Sequence, residues 1–145
     1  MKFDIVVVGG GHAGSEASHA ASTMGLKTCM FCMSFSHVGN MPCNPSIGGS
    51  AKGIVVKEID ALGGIMGKVA DQNALQYKML NLSKGPGVHA LRAQADKITY
   101  PKGILKALQE TPNLTLIEQE VVDIIVENGN CLLYTSPSPR DRSVS

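Results

Sequence analysis

Charge is scarce and nearly balanced: 13 Lys and Arg face 12 Asp and Glu in 145 residues, a formal net charge of +1. The chain as a whole therefore carries no nucleic-acid or membrane footprint. No apolar run approaches the roughly 20 residues that span a bilayer. The one apolar run at the N-terminus contains Asp4 and has no small-residue cleavage site behind it, so neither export nor a membrane anchor is expected. The four cysteines stand at irregular spacing, which is no disulfide framework, and the reducing cytoplasm is the expected compartment. Acid is missing locally too, since no Asp or Glu occurs between Glu16 and Glu58.

What is present suffices for one domain with its own core, 43% of the residues being apolar. The run FDIVVV at 3–8 is β-branched and ends in glycines, the pattern of a buried parallel strand. A helix is expected over 12–24 with Ala13, Ala17, Ala20 or Ala21, and Met24 on one face, and a strand over 27–33. Strand, glycine turn, helix and strand in this order open a doubly wound α/β domain. Further on, Ser50 is a candidate N-cap for a helix to Leu62, with Ala51, Val55, Ile59 and Leu62 on its inner face. Asp71 is a candidate cap for a helix to Leu80, and a helical stretch over 90–110 must kink or restart at Pro101. Strands are expected at 114–117 and 121–127, with Asn128-Gly129 as a hairpin signal.

Gly9, Gly11 and Gly14 within GGGHAG fit the dinucleotide fingerprint: a tight turn, a close backbone approach to a pyrophosphate, and close helix–strand packing. Gly10, His12 and Ala13 complete the turn, whose orphan N–H groups and helix dipole suit phosphate. The acid that usually bonds a ribose hydroxyl is due about 20 residues on, where Met33, Ser34, Phe35 and Ser36 stand instead. Ribose recognition is thereby left to hydroxyls, backbone or water, which argues against a plain NAD dehydrogenase.

Cys29 and Cys32 form a CxxC inside a strand, where residues three apart face opposite ways, so they read as small buried hydrophobes. Cys43 stands between Pro42 and Asn44-Pro45, ahead of a helix start and Lys52, a setting that suits either a thiolate nucleophile or a thiol packed in a tight loop. The segment PSIGGSAKG is no Walker A loop, since Gly53 follows Lys52 where Ser or Thr is required. His12, inside the glycine loop, reads as a base or, more often at such a place, as a spacer over the nucleotide, while His19, His37 and His89 show no ligand spacing, and no metal is expected. Six cations against Asp96 between Lys78 and Lys106 make that stretch basic, more often a solvated face than an RNA site on charge alone.

The segments DIVVVGGGHAGSEA, MPCNPSIGGSAKG, VKEIDALGG and SKGPGVHALRAQADK, taken in order, closely resemble the MnmG (GidA) family of tRNA uridine 5-carboxymethylaminomethyl modification enzymes, from about Phe3 to Asn128. The resemblance implies the N-terminal portion of a three-layer, Rossmann-like FAD/NAD(P)-binding α/β domain. It implies FAD on Gly9 to Gly14, with Val121 backbone at the adenine. It places Cys43 beside the flavin ring with Asn44, Gly48, Gly49 and Lys52 in the same loop, and makes Lys84 and Arg92 contacts to flavin, folate or RNA. It further implies tRNA as substrate, NADH and methylenetetrahydrofolate as co-substrates, the GTPase MnmE as partner, and a homodimer and heterotetramer in the full-length protein.

Family members are several times longer, with an inserted nicotinamide domain, a second cysteine motif and a C-terminal helical domain that this chain lacks. The expected organisation is 1–130 as the first part of the FAD domain and 131–145, where composition turns abruptly to Ser, Pro and Arg, as a non-family tail, disordered or artefactual. A fragment of this kind is expected to be inactive alone. Competing readings are a folate-dependent tRNA uridine 5-methyltransferase, which the Cys-Asn-Pro context fits poorly, and a non-catalytic nucleotide-binding module.

Overall fold

A computed structural model describes residues 2–135. The chain opens with β1 (Ile5–Val8), α1 (His12–Thr23) and β2 (Thr28–Cys32). After a 3-10 turn at Phe35–His37 come β3 (Ser46–Gly48), α2 (Lys52–Ala61), α3 (Met66–Gln72), β4 (Ala74–Leu80), β5 (Ala90–Ala95) and α4 (Thr99–Gln109). Strands β6 (Leu114–Glu118), β7 (Val121–Glu127) and β8 (Asn130–Thr135) follow. Strands β1, β2 and β6 form a parallel sheet in that order, β3, β5 and β4 an antiparallel one, and β7 and β8 a hairpin. The Rossmann-like α/β class expected from the sequence is the class observed.

Strand β2 is the middle of the parallel sheet and is covered on both sides, so Cys29 and Cys32 are both buried and free despite facing opposite ways. Burial pushes both thiols up, away from the reactive thiolate. A single core runs from Met30 on β2 through Tyr100, Ile104 and Leu108 on α4 and Val69 on α3 to Ile47 on β3. That shared core welds the two sheets together and fixes the loop between β2 and β3 against the turn that follows β1.

Several expected elements differ. Residues 74–80 are a strand, not the helix that Asp71 was expected to cap, and Asp71 lies inside α3. Residues 90–95 are also a strand; the helix begins only at Thr99, which puts Pro101 in its first turn, where its missing N–H and fixed φ fit without a kink. Alanine, leucine and glutamine favour helix, but β4 and β5 pair with each other over six register positions, and that tertiary pairing overrides local propensity. On α1 the inward residues are Ser15, Ser18, Ala21 and Ser22, while Met24 is 79% exposed. Helix α2 starts at Lys52, without a side-chain cap; Ser50 Oγ instead accepts from Asn81 Nδ2 at 3.2 Å. Its inner face is Gly53, Val56 and Ile59, and the expected face residue Leu62 is 90% exposed. Strand β8 pairs with β7 in the hairpin that Asn128-Gly129 signals, and residues 136–145 of the expected tail lie outside the described residues.

Glu16 is a structural acid the sequence did not mark. From α1 its Oε1 accepts the N–H groups of Ile65 at 3.1 Å and Met66 at 2.6 Å, capping α3, which has no cap of its own. Glu16→Ala should lower stability by about 1–3 kcal/mol through these orphaned donors, read as a fall in the urea midpoint with an unchanged slope.

Candidate functional site

The turn after β1 is built by steric necessity. Gly9 has φ of +112°, a region closed to side chains, and its N–H is bonded to Phe31 O at 2.8 Å. A Cβ on Gly14 would overlap the Gly9 carbonyl oxygen, so α1 can sit this close to β1 only with glycine there. Gly11 differs: its backbone is extended, with φ of −71° and ψ of 179°, and a Cβ on it would meet nothing of the protein within 4 Å. The space over Gly11 lies at the uncapped start of α1, where no side chain serves the first-turn N–H groups. The turn therefore presents open space and unpartnered donors together, which is what a diphosphate requires.

His12 points the other way. Its ring lies 5.7 Å from that of Tyr100, and neither His12 Nε2 nor Tyr100 Oη has a hydrogen-bond partner among the described residues. Burial lowers the His12 pKa, the Lys52 ammonium lowers it further, and Glu16 opposes both. The unfolded chain therefore takes up this proton first, near the ordinary value of about 6.5. Stability that depends on the neutral ring is complete above that pH and is lost as pH falls through the depressed folded value. His12→Gln should flatten this part of the stability profile, as denaturant titrations from about pH 7 to pH 5 will show.

At the same C-terminal end of the parallel strands an acid comes from an unexpected place. Glu118 stands beside Cys32 in the β2–β6 register, and its Oε1 accepts the Phe35 N–H at 2.8 Å. That bond, followed by one from Ser34, holds the carboxyl below its usual range. An acid thus sits next to Ser34 and Ser36, contributed by a neighbouring strand and not by the end of β2. Val121 begins β7 two residues beyond Gln119, whose N–H is bonded to Cys32 O at 2.8 Å, which brings the chain back to the same edge of the sheet.

The loop from Pro42 to Lys52 meets the glycine turn at one point and leaves it at another. Lys52 is close enough to His12 to affect its ionisation, and its Nζ reaches Ser46 O at 3.5 Å rather than the thiol. Cys43 is exposed; its flanking carbonyls are held by β5 and the residues after it, Pro45 O by the Ala95 N–H at 2.8 Å and Pro42 O by Lys97 Nζ at 3.2 Å. Asn44 O accepts from the Ser46 N–H at 2.7 Å, closing the turn into β3. Gly48 has φ of +108° and a Cβ there would overlap Leu91 O, so its glycine is required by the sheet itself; Gly49 has φ of +98°, and a Cβ there would touch only Leu80 Cδ1, at 3.9 Å. Lys84 lies apart, exposed on the loop between β4 and β5, where its carbonyl pairs with His89 Nε2 at 3.2 Å.

A cleft of about 460 Å3 opens between α2, α3 and the antiparallel sheet, lined by Gly48, Ile54, Lys57, Asp60, Tyr77 and Leu91 among others. Tyr77 donates to Asp71 Oδ1 at 2.9 Å on its wall. Among the described residues no group of three His, Cys, Asp or Glu side chains is placed to hold a metal ion, and no helix is long and apolar enough to cross a membrane.

Residues 4–137 match the family described as Glucose inhibited division protein A. The chain is 56% identical over 129 residues to a tRNA uridine 5-carboxymethylaminomethyl modification enzyme MnmG of Bacillus thuringiensis, a match covering 89% of this chain and 20% of that protein. A protein of the same name from Lactobacillus delbrueckii is 55% identical over 145 residues, 99% of this chain and 23% of its own length. Among solved structures, GidA of Aquifex aeolicus superposes with a TM-score of 0.88 at 54% identity, covering 93% of this chain and 23% of that one. The chain thus spans about a fifth of the length of the relatives it matches.

Proposed function

The chain belongs to the Glucose inhibited division protein A family, and on that premise we propose that it is the cofactor-binding opening of a flavoprotein that installs a 5-carboxymethylaminomethyl group on the wobble uridine of tRNA. The observation that carries the cofactor is the turn: open space over Gly11 and unserved amides at the start of α1, the two things a dinucleotide diphosphate needs together. Gly9, Gly10, Gly11, His12, Ala13 and Gly14 hold FAD at its diphosphate, Glu118 and Ser34 face its ribose, and Val121 backbone its adenine. Bound flavin supplies hydride and electron transfer at its ring, in a cytoplasmic protein that draws reducing electrons from NADH and a one-carbon unit from methylenetetrahydrofolate.

This chain's own part beyond binding falls to the exposed Cys43 loop, where the thiol acts on the uridine or its one-carbon adduct as nucleophile or proton donor. Asn44, Gly48, Gly49 and Lys52 shape that loop, Arg92 stands across from Gly48 on β5, and Lys84, on the separate loop between β4 and β5, is a further contact to flavin, folate or RNA. Catalysis itself belongs to the longer protein acting with the GTPase MnmE, and the 145-residue chain alone is inactive. In a protein that carries this segment at the full length of its relatives, Cys43→Ser should keep its flavin absorbance and lose tRNA modification, scored by nucleoside analysis. Modification at the normal level with flavin bound removes Cys43 from the chemistry.

A further inference from the structure

The register of the antiparallel sheet sorts its side chains into two unlike faces. Ile47, Tyr77, Met79, Leu91 and Ala93 alternate onto the face turned toward α2 and α3, where Ile47 and Ala93 are buried and Tyr77, Met79 and Leu91 are left exposed. The opposite face holds Ser46, Gln76 and Gln94 at one end, Gly48, Lys78 and Arg92 in the middle, and Leu80 and Ala90 at the other end. Gln76, Lys78 and Gln94 are exposed and Arg92 is half-buried. No acid stands on these positions, and Lys78 is directly across from Arg92 on the neighbouring strand. Like charges so placed destabilise a sheet. Among the described residues neither Lys78 nor Arg92 makes an ion pair or side-chain hydrogen bond that would offset the repulsion.

The face also has a direction. Strand β5 runs from Arg92 to Ala95, whose N–H holds Pro45 O, and two residues later Lys97 Nζ holds Pro42 O. At about 3.3 Å per residue the two cations lie roughly 10 Å from the Cys43 loop. Protein partners prefer an apolar centre, which this face lacks; nucleic-acid surfaces are polar, cationic and rich in amide donors.

We propose that the open face of the antiparallel sheet, centred on the cross-strand pair Lys78 and Arg92, is a phosphate-binding surface that seats RNA beside the Cys43 loop. This rests on the reading of the chain as part of a tRNA-modifying enzyme. An RNA strand crossing β5 supplies the missing counter-charge, and Gln76 and Gln94 offer amide groups to its sugars and base edges.

The test is a salt titration of binding between the chain and an anticodon stem-loop RNA, for the wild type, Lys78→Gln/Arg92→Gln, and a control of equal charge change, Lys102→Gln/Lys106→Gln on α4. The slope of log K against log salt should fall in magnitude by roughly 1.4–1.8 in the first variant, the share of two phosphate contacts, and hold in the control. The first variant should also melt at or above the wild-type temperature, because the repulsion is gone. Equal loss in both variants, an unchanged slope, tighter binding of polyglutamate than of RNA, or no RNA binding by the wild type overturns the proposal. FAD titration of the same samples separates the outcomes: a wild type that binds FAD but fails these RNA criteria sinks this surface alone, and one that binds neither sinks the parent reading.

Discussion

Gly14→Ala will abolish dinucleotide binding and cost more stability than the 1–3 kcal/mol or so of an ordinary overpacking substitution. The new Cβ would overlap the Gly9 carbonyl oxygen, and both sides of that clash are backbone. No rotamer change can relieve it; either α1 withdraws from β1 or the turn opens. Both movements scatter the amides that the diphosphate needs. Gly11→Ala is the informative contrast. Its backbone already lies in a region open to any residue, and its Cβ would meet nothing of the protein. The Gly11 variant should keep most of its stability, a stiffer unfolded chain offsetting the poorer helix cap that alanine makes, yet lose affinity because its methyl fills the ligand's space. Urea melts and flavin titrations of the pair will separate a glycine the fold needs from one the ligand needs.

Tyr100→Ala should remove about 3–5 kcal/mol, a large share of the 5–15 kcal/mol or so that a domain has. Tyr100 is wholly buried at the junction of α4, β2 and α1, where the two sheets share their core. Its hydroxyl, however, has no partner among the described residues, and burial pushes its pKa up. The aromatic ring therefore does the stabilising, while the oxygen is desolvated without return. Tyr100→Phe should consequently be neutral or stabilising by up to about 1–3 kcal/mol. A urea midpoint for Tyr100→Phe well below wild type would mean that the hydroxyl is bonded in solution.

The β1–α1–β2 unit was legible because its signals are local: a β-branched run, glycines at fixed offsets, and a short return to a second strand. The glycine turn was legible for the same reason. Strands β4 and β5 were not, since Ala, Leu, Gln and Arg favour helix and only pairing across the intervening loop makes them extended. The inward face of α1 was misread because counting apolar residues selects alanine, whereas close approach to the sheet requires only small side chains, and serine serves. Glu118 was missed because the search for an acid near Ser34 counts along the chain, whereas Glu118 reaches that place by lying in register with Cys32 on the next strand. Knowing that β6 neighbours β2 would have pointed to it. The two faces of the antiparallel sheet were hidden likewise, as Lys78 and Arg92 become neighbours only once the register is known.

The account turns on the diphosphate, so the decisive measurement is a fluorescence titration of the chain with FAD and, in parallel, with riboflavin. Saturable binding of FAD, displaced by ADP and far tighter than that of riboflavin, is the predicted result. Equal affinity for the two flavins, or no binding of FAD at all, would contradict it.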